Sequence, residues 1–379
     1  MVPPCPTDTR SGSVSRRDFV RLCTMAAAAI GLGPLAAARF VEAAERGVKP
    51  SVIWLQFQEC TGCTESLLRT SHPDVASVIL DLVSLDYHET LFAGAGHQAE
   101  KALADTIKSQ EGKFICVVEG AIPTKDGGIY CQVGGRTAVD ILNDVASKAG
   151  AIIAIGSCAS WGGIPSADPN PTGATGAPQI LNTTLKGKTV VTIPGCPANP
   201  YNFLGVVLQY ATLGTLPKLD ELGRPLFAYG RTIHEHCPRR AHFDAGRFAN
   251  TFGDEGHRQG YCLYKLGCKG PMTHANCSTL AFGEVVDCWP IGIGHPCVGC
   301  TEQKVAFRIP MHTTAAIERP VPPDTYPPIH AEQGGISPVA TAVAGVIGGA
   351  LLGAGLVASR KIDKAEADAD TLPDTKQGV

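Results

Sequence analysis

Apolar residues in the first half of the chain recur in short runs, separated by stretches of helical periodicity. The runs predict strands at residues 52–55, 78–80, 114–118, 151–155 and 189–193. The intervening periodicity predicts helices at residues 64–70, 98–109 and 137–149. Because the runs are apolar on both faces, we expect an α/β fold with a parallel sheet covered by helices on both sides.

The pattern changes after about residue 211, where the alternation of strand and helix fades. Residues 231–300 are loop-rich, with poor apolar periodicity and seven cysteines. Such a segment cannot bury enough side chain to order itself, so cross-links or metals must contribute. His234 and Cys237 are spaced to ligate from one turn, and Cys297 and Cys300 form a second short pair.

The N-terminal 45 residues read as an export signal. Arg16 and Arg17 are followed by a hydrophobic pair, then by an apolar stretch at 25–35 and small residues at 36–44. We therefore predict a twin-arginine signal at residues 1–45. This route carries folded proteins, so a metal cofactor can be inserted before export.

The C-terminal end carries a second membrane signal. Residues 339–358 are uncharged and made almost wholly of Ala, Val, Gly, Leu and Ile, and about 20 residues span roughly 30 Å as a helix. Arg360 and Lys361 follow at once, which favours a cytoplasmic tail at 360–379 and a body on the periplasmic side. We predict a transmembrane anchor at 337–359, preceded by a linker at 311–336; the alternative is a buried Ala/Gly-rich helix of a soluble domain.

The net charge and the cysteine content limit the functions and cofactors that this chain could have. A formal net charge of −3 over 379 residues gives no electrostatic reason to expect nucleic-acid binding. Fifteen cysteines are too few for a small disulfide scaffold and many for an ordinary cytosolic enzyme. Disulfides are the usual expectation for an exported chain, yet removal of Cys5 and Cys23 with the signal leaves an odd number. We therefore favour bound metal, with disulfides as the alternative.

Four cysteines follow predicted strands. Cys60 and Cys63 come after the first strand, while Cys158 and Cys196 each come three residues after a later one. Because the carboxyl ends of parallel strands meet at one edge of the sheet, we expect these thiols to converge in loops there. Four thiolates suit a [4Fe–4S] cluster or a zinc ion. Dinucleotide, P-loop and nucleophile-elbow motifs are absent from the sequence.

Several separated motifs resemble the small subunit of membrane-bound [NiFe] hydrogenases. They stand in order at residues 60–66, 119–123, 156–159, 194–200, 252–256, 262–271, 276–277, 289–291 and 294–300. The resemblance implies a flavodoxin-like domain over 50–212 that holds a proximal cluster. It implies an iron–sulfur domain over 213–310 that holds two more clusters.

Carried over position by position, the resemblance implies three ligand sets. The proximal [4Fe–4S] cluster would be bound by Cys60, Cys63, Cys158 and Cys196. The distal [4Fe–4S] cluster would be bound by His234, Cys237, Cys262 and Cys268. The medial [3Fe–4S] cluster would be bound by Cys277, Cys297 and Cys300.

Four positions qualify this assignment. Gly62 and Gly163 stand where oxygen-tolerant relatives carry two additional cysteines, so we expect an ordinary four-cysteine proximal cluster. Pro290 stands where a fourth medial cysteine would be, and Cys288 lies two residues before it. Cys288 therefore leaves open a medial [4Fe–4S] cluster. Of the remaining cysteines, Cys116 falls in a predicted strand and is most simply a core residue.

The resemblance also implies function and partners. The chain would pass electrons from H₂ oxidation to a membrane acceptor, for which a b-type cytochrome is one candidate, while the nickel–iron site lies on a separate large subunit. It would contribute no catalytic residue of its own. Lys265, Lys269 and Arg258, near the distal ligands, would either attract a redox partner or form a solvated face. The competing classes are a cluster-bearing subunit of respiratory quinone reductases and a secreted binding protein with disulfides or structural zinc.

Overall fold

The computed structural model describes residues 49–71, 75–281, 288–318 and 320–322. The predicted signal at 1–45, the anchor at 337–359 and the tail at 360–379 lie outside these ranges, as does most of the linker. Within the described ranges, no helix is both long enough and apolar enough to cross a membrane.

A five-stranded parallel sheet forms the centre of the first half. Its strands are β1 (Ser51–Gln56), β2 (Ser84–His88), β3 (Ile115–Glu119), β4 (Ala151–Ile155) and β5 (Val190–Ile193). They lie in the order β2-β1-β3-β4-β5, all parallel. This is the strand order of flavodoxin-like sheets, and it confirms the predicted α/β class.

Helices cover the sheet on both sides. The longer ones are α1 (Gly62–Leu68), α2 (His97–Ser109), α3 (Ala138–Lys148), α4 (Gly156–Trp161), α5 (Ala177–Thr184) and α6 (Pro200–Leu213). Alternate residues of β1 enter different cores: Trp54 packs on one face and Ile53 on the other. Two short antiparallel ribbons pair Ile122–Pro123 with Ala174–Thr175 and Gln132–Val133 with Arg136–Thr137.

One predicted strand is wrong. The apolar run at 78–80 lies in a π-helical turn, Val78–Leu82, which follows a short helix at Val75–Ser77. The strand itself comes next, at Ser84–His88, where only Tyr87 and His88 are buried. An apolar run marks burial without fixing the backbone, and here Val78 and Leu82 bury themselves from a helical turn beside an edge strand of more polar sequence.

The second half is loop-rich, as expected. Among its described residues the regular elements are short helices at Leu226–Tyr229, Ile233–His236, Arg240–Asp244, Glu255–Arg258, Tyr264–Leu266, Gly270–Met272 and Cys277–Leu280. Its buried residues join the same core as one face of the sheet: Ile233, Leu263 and Ile291 belong to the cluster that contains Trp54 and Phe203. The boundary near residue 212 therefore crosses a continuous core, and the division into two domains stays a prediction.

Candidate functional site

The four proximal cysteines lie at the carboxyl edge of the sheet, beside the point where the strand order reverses. Cys60 lies in the loop after β1 and Cys196 in the loop after β5. Cys63 lies in the first turn of α1, and Cys158 lies in α4 directly after β4. The expectation of loops is therefore wrong for Cys63 and Cys158, because α1 already begins at Gly62 and α4 begins directly after β4. Ligands commonly bind at such a switch point.

The four proximal thiols face one another closely enough to interact electrostatically. The pKa of Cys158 is raised to about 12, mainly by burial, with the neighbouring Cys196 and Cys60 contributing. The pKa of Cys63 is raised well above its ordinary value by burial, then by Glu119, with Cys158 and Cys196 contributing. The structure thus brings together the four residues that the sequence assigned to one site.

Glycines make room for three of these sulfurs. A Cβ atom added at Gly156 would lie 2.5 Å from the Cys63 sulfur, and one at Gly163 would lie 2.7 Å from that of Cys158. At Gly62 the corresponding distance to the Cys60 sulfur is 3.0 Å. Gly156 and Gly163 also have positive φ, at +81° and +48°, which other residues rarely adopt. The absence of a side chain at these three glycines therefore leaves room for the cysteine sulfurs.

A buried carboxylate, that of Glu119, holds the helix turn that carries Cys63. Glu119, at the end of β3, is only 2% exposed. Its Oε1 accepts hydrogen bonds from the backbone N–H groups of Cys63 (3.0 Å) and Thr64 (3.2 Å). Its Oε2 accepts from Thr64 Oγ1 (2.5 Å) and Trp54 Nε1 (2.9 Å). Glu119 thereby fixes the first turn of α1, and with it the position of Cys63. Glu119 is the first residue of the motif at 119–123, but its role is visible only in three dimensions.

The four predicted distal ligands line one cavity in the loop-rich half. His234, Cys237, Cys262 and Cys268 all contribute to its wall, together with Arg239 and apolar side chains. Burial raises the pKa of Cys237 and of Cys262 to about 12 in each case. Arg239 is close enough to oppose those shifts. The cavity thus joins the imidazole and three thiols that the resemblance assigned to a single cluster.

His234 has the surroundings of a neutral ligand. Burial, followed by the charge of Arg240, lowers its pKa to about 4. The edge of its ring packs against Phe243, with the ring centroids 4.5 Å apart. A neutral imidazole is the form of histidine that binds metals, so the local chemistry fits the assignment.

The three predicted medial ligands also lie together. Burial raises the pKa of Cys277 to about 12, with Cys300 contributing, and the pKa of Cys297 responds to both of these thiols. The loop that carries Cys300 is fixed by a buried ion pair: Arg224 Nη1 contacts Glu302 Oε1 at 2.7 Å and donates to the carbonyl of Thr301 at 3.0 Å. Cys288, in contrast, is exposed.

Backbone N–H groups point at many of these sulfurs. Four cysteines accept a hydrogen bond from the residue two positions later: Cys237 from Arg239, Cys262 from Tyr264, Cys268 from Gly270 and Cys297 from Gly299. Hydrogen bonds of this kind stabilise the thiolate form and set the potentials of iron–sulfur centres.

Two such hydrogen bonds join different ligand sets. The backbone N–H of Cys196, a proximal residue, donates to the sulfur of Cys300, a medial residue. The backbone N–H of Cys297, a medial residue, donates to the sulfur of Cys268, a distal residue, at 3.4 Å. The three sets are therefore in direct contact in the order proximal, medial, distal.

The donor sets fit iron–sulfur clusters. All thirteen cysteines within the described residues are free thiols. No three Cys, His, Asp or Glu side chains of these residues meet at a single point as in a mononuclear metal site. Each ligand of a [4Fe–4S] cluster binds its own iron, so the sulfurs surround an inorganic core instead. Thiols with such raised pKa values become thiolates readily only when a metal supplies positive charge.

Three other side chains that could ligate a metal or carry a charge are buried in the fold. Cys116 is fully buried in β3, as expected of a core residue. His88 is also fully buried: its Nδ1 accepts from the backbone N–H of Thr90 (3.2 Å), and its Nε2 contacts Thr64 Oγ1 (3.1 Å). Lys269 is fully buried as well, so it cannot belong to a solvated face or contact a redox partner.

Comparison with known proteins agrees with this picture. A family described as the C-terminal part of the NiFe/NiFeSe hydrogenase small subunit matches residues 229–312, and one described as "NADH ubiquinone oxidoreductase, 20 Kd subunit" matches residues 60–210. The Hydrogenase-2 small chain of Escherichia coli (strain K12) is 50% identical over 355 residues, covering 93% of this chain and 94% of its own. The periplasmic [NiFe] hydrogenase small subunit 1 of Nitratidesulfovibrio vulgaris is 48% identical over 291 residues, covering 76% and 90%.

Solved structures give the same result. A chain of the Ni-Fe-Se hydrogenase from Desulfomicrobium baculatum superposes with a TM-score of 0.66 at 34% identity, covering 70% of this chain and 100% of that one. Fold and comparisons together define an iron–sulfur subunit of a redox enzyme. The match over residues 229–312 separates it from the quinone-reductase subunits that share the first half. The chain belongs to the family of [NiFe] hydrogenase small subunits, whose catalytic site lies on the large subunit.

Proposed function

We propose that this chain carries electrons from H₂ oxidation on the large subunit through three iron–sulfur clusters to a membrane acceptor. The observation that supports it most directly is the pair of hydrogen bonds between ligand sets, from Cys196 to Cys300 and from Cys297 to Cys268. These contacts support an order in which the proximal, medial and distal sites follow one another. A relay needs such closeness, because electrons must pass between neighbouring sites without a mobile carrier.

When bound, iron–sulfur clusters supply one-electron transfer at potentials that the protein adjusts. The residues of this chain provide ligands, N–H donors and burial. Cys60, Cys63, Cys158 and Cys196 hold the proximal [4Fe–4S] cluster. His234, Cys237, Cys262 and Cys268 hold the distal [4Fe–4S] cluster. The neutral imidazole of His234 reduces the negative charge of its site relative to four thiolates.

The medial site takes a [3Fe–4S] cluster, because Cys277, Cys297 and Cys300 are the three thiols assigned to it and each lies near another of the three. Cys288 is exposed and Pro290 cannot ligate. Electron paramagnetic resonance of the oxidised complex of both subunits tests this. Cys300→Ser should remove the [3Fe–4S] signal, while Cys288→Ser should leave it unchanged. A changed signal in Cys288→Ser would show that Cys288 is a fourth ligand.

The proximal edge is the surface that receives the large subunit. Cys60 and Cys196 are exposed, unlike the buried distal thiols. Ile164, whose backbone N–H donates to the sulfur of Cys158, is 56% exposed. A cluster held there would meet solvent unless a partner covers it. Substituting Ile164 by Asp should weaken copurification of the nickel-containing chain, and Asp at the exposed Ile293 of the loop-rich half should not. Equal retention by both variants would contradict this placement.

The clusters themselves are tested on the anaerobically purified complex. Iron and acid-labile sulfide should match three clusters, with paramagnetic signals that change on reduction by H₂. Near-zero iron, or signals that do not respond to reduction, would refute the relay. The zinc and disulfide alternatives both predict that result.

The chain is anchored on the periplasmic side of the membrane, exported by its twin-arginine signal and held by residues 337–359, with the tail at 360–379 in the cytoplasm. In support, the alignment with the Escherichia coli relative covers 93% of the chain and so reaches into both terminal segments. Deleting residues 337–379 should release the complex into the soluble periplasm, and Arg16→Lys with Arg17→Lys should keep it in the cytoplasm. Membrane retention of the truncated chain would refute the anchor. Copurification with a b-type cytochrome would identify the acceptor.

A further inference from the structure

Lys269 is unusual among the charged residues of this chain. Its side chain is 0% exposed, although it carries an ammonium group. The residue directly follows Cys268, a distal ligand, and its backbone N–H donates to the carbonyl oxygen of Cys297, a medial ligand, at 2.8 Å. Lys269 therefore lies at the junction of two proposed cluster sites.

Four backbone carbonyl oxygens surround the Lys269 nitrogen. Nζ lies 2.7 Å from the carbonyl oxygen of Gly267, 3.2 Å from that of Pro310, 3.0 Å from that of Met311 and 2.8 Å from that of Thr313. An ammonium has three N–H donors and no acceptor. A neutral amine would have only two donors, and its lone pair would face an oxygen. The oxygen cage thus fits the charged form.

The groups that hydrogen-bond the Lys269 ammonium do not neutralise its charge. The cage consists of neutral carbonyl groups, and no carboxylate is among the atoms that contact Nζ. Burial lowers the pKa of Lys269, and the neighbouring Cys268 and then Cys297 oppose that effect. A buried charge acts through a low dielectric and is poorly screened by salt. Its effect therefore falls on the two neighbouring ligand sets.

We propose that Lys269 is a positioning residue whose buried ammonium raises the reduction potentials of the distal and medial clusters, while its hydrogen bonds hold the segment 310–313 against them. The inference rests on the proposed function, since it requires clusters at both sites. Reduction adds one electron and hence one negative charge to a cluster, and a nearby fixed cation stabilises that reduced state. No proton transfer is involved. We expect the larger effect at the distal cluster, because its ligand Cys268 directly precedes Lys269 in the chain.

Potentiometric titration of the purified complex of both subunits, monitored by electron paramagnetic resonance, tests this. Lys269→Met removes the charge at similar length, and Lys269→Gln removes it while keeping two N–H donors for the cage. Either variant should change the oxidised-to-reduced ratio of the distal cluster, at fixed potential, about tenfold towards oxidised. This corresponds to a midpoint about 59 mV lower for a one-electron couple. The medial cluster should shift in the same direction by less.

Lys265→Met is the matched control. Lys265 lies four residues earlier, is exposed, and donates to Asn250 Oδ1 at 3.2 Å over the ring of Phe248. Removing the same charge there should leave both midpoints nearly unchanged, because solvent screens it. Lys269→Arg keeps a charge in the cage and should retain both the clusters and midpoints near those of the parent complex.

The outcomes separate the inference from the function on which it rests. Clusters present with unchanged midpoints in Lys269→Gln, or an equal shift in Lys265→Met, would overturn the role of Lys269 alone. Absence of cluster signals in the parent complex would instead overturn the proposed function. If both neutral variants lose the distal and medial clusters while Lys269→Arg keeps them, the charge is needed to form the sites, which supports the assignment. Loss in all three variants would refute a role for the charge.

Discussion

The buried carboxylate of Glu119 offers the sharpest test of how the fold holds its proximal site. Substitution by Ala removes the acceptor for three N–H donors: the backbone groups of Cys63 and Thr64, and the indole of Trp54. Each buried donor left without a partner costs about 1 kcal/mol or more. The expected loss is therefore at least about 3 kcal/mol. At roughly 2–4 °C per kcal/mol, the melting temperature should fall by about 6–12 °C.

The measurement is thermal unfolding of the anaerobically purified complex by circular dichroism, with iron content determined on the same samples. Glu65→Ala is the matched control: Glu65 lies on the same helix, α1, but forms an exposed pair with Arg69 at 2.8 Å. Such a pair contributes about 0–1 kcal/mol. Equal melting temperatures for the two variants would refute the reasoning that Glu119 fixes the first turn of α1.

Two further perturbations address the space around the thiols and the response to acid. Gly156→Ala places a Cβ 2.5 Å from the Cys63 sulfur at a φ of +81°, and should lower iron and sulfide by the share of one cluster. His88 has its pKa lowered from 6.5 to about 4 by burial. Because the unfolded chain then binds the proton more readily, stability should be lost as the pH falls from about 6.5 towards 4. His88→Asn should reduce that acid-dependent loss, measured as the change in melting temperature across the same range.

Each of these has a control or a contradicting result. Gly127 also has positive φ, at +72°, but a Cβ there would meet nothing within 4 Å, so Gly127→Ala should keep full iron content. Full iron in Gly156→Ala would show that the close approach to Cys63 is dispensable. A melting temperature that declines with acid equally in His88→Asn and the parent complex would exclude His88 as the group responsible.

Much of the site follows from the sequence because parallel topology is itself predictable. Once β1, β4 and β5 are recognised as buried strands, their carboxyl ends must meet at one edge, and Cys60, Cys158 and Cys196 meet with them. The distal and medial sets could not be derived in this way, since the loop-rich half has no periodicity that fixes its path. They came from the resemblance, and the common cavity and the mutual pKa shifts are consistent with them.

The sequence does not show in which direction a single side chain points or which groups it contacts. Glu119 ends an apolar strand, and nothing in its spacing shows that it turns towards the start of α1 rather than to solvent. Lys269 looks like a surface residue because lysines are rarely buried, and only a cage of carbonyl oxygens from residues distant in sequence makes burial tolerable. The hydrophobic pattern does not predict strand β2, because this strand lies at the edge of the sheet and its sequence is largely polar.

The hydrogen bonds from Cys196 to the Cys300 sulfur and from Cys297 to the Cys268 sulfur also bear on biogenesis. In each case the peptide that presents one ligand is the donor for a sulfur of the neighbouring site. Until a cluster is inserted, nothing fixes the loop that carries its ligands. The backbone N–H of that loop is then not held in position to donate to the sulfur of the neighbouring site. We therefore expect the three ligand sets to be loaded in concert, because a partly loaded chain lacks the contacts that join one set to the next.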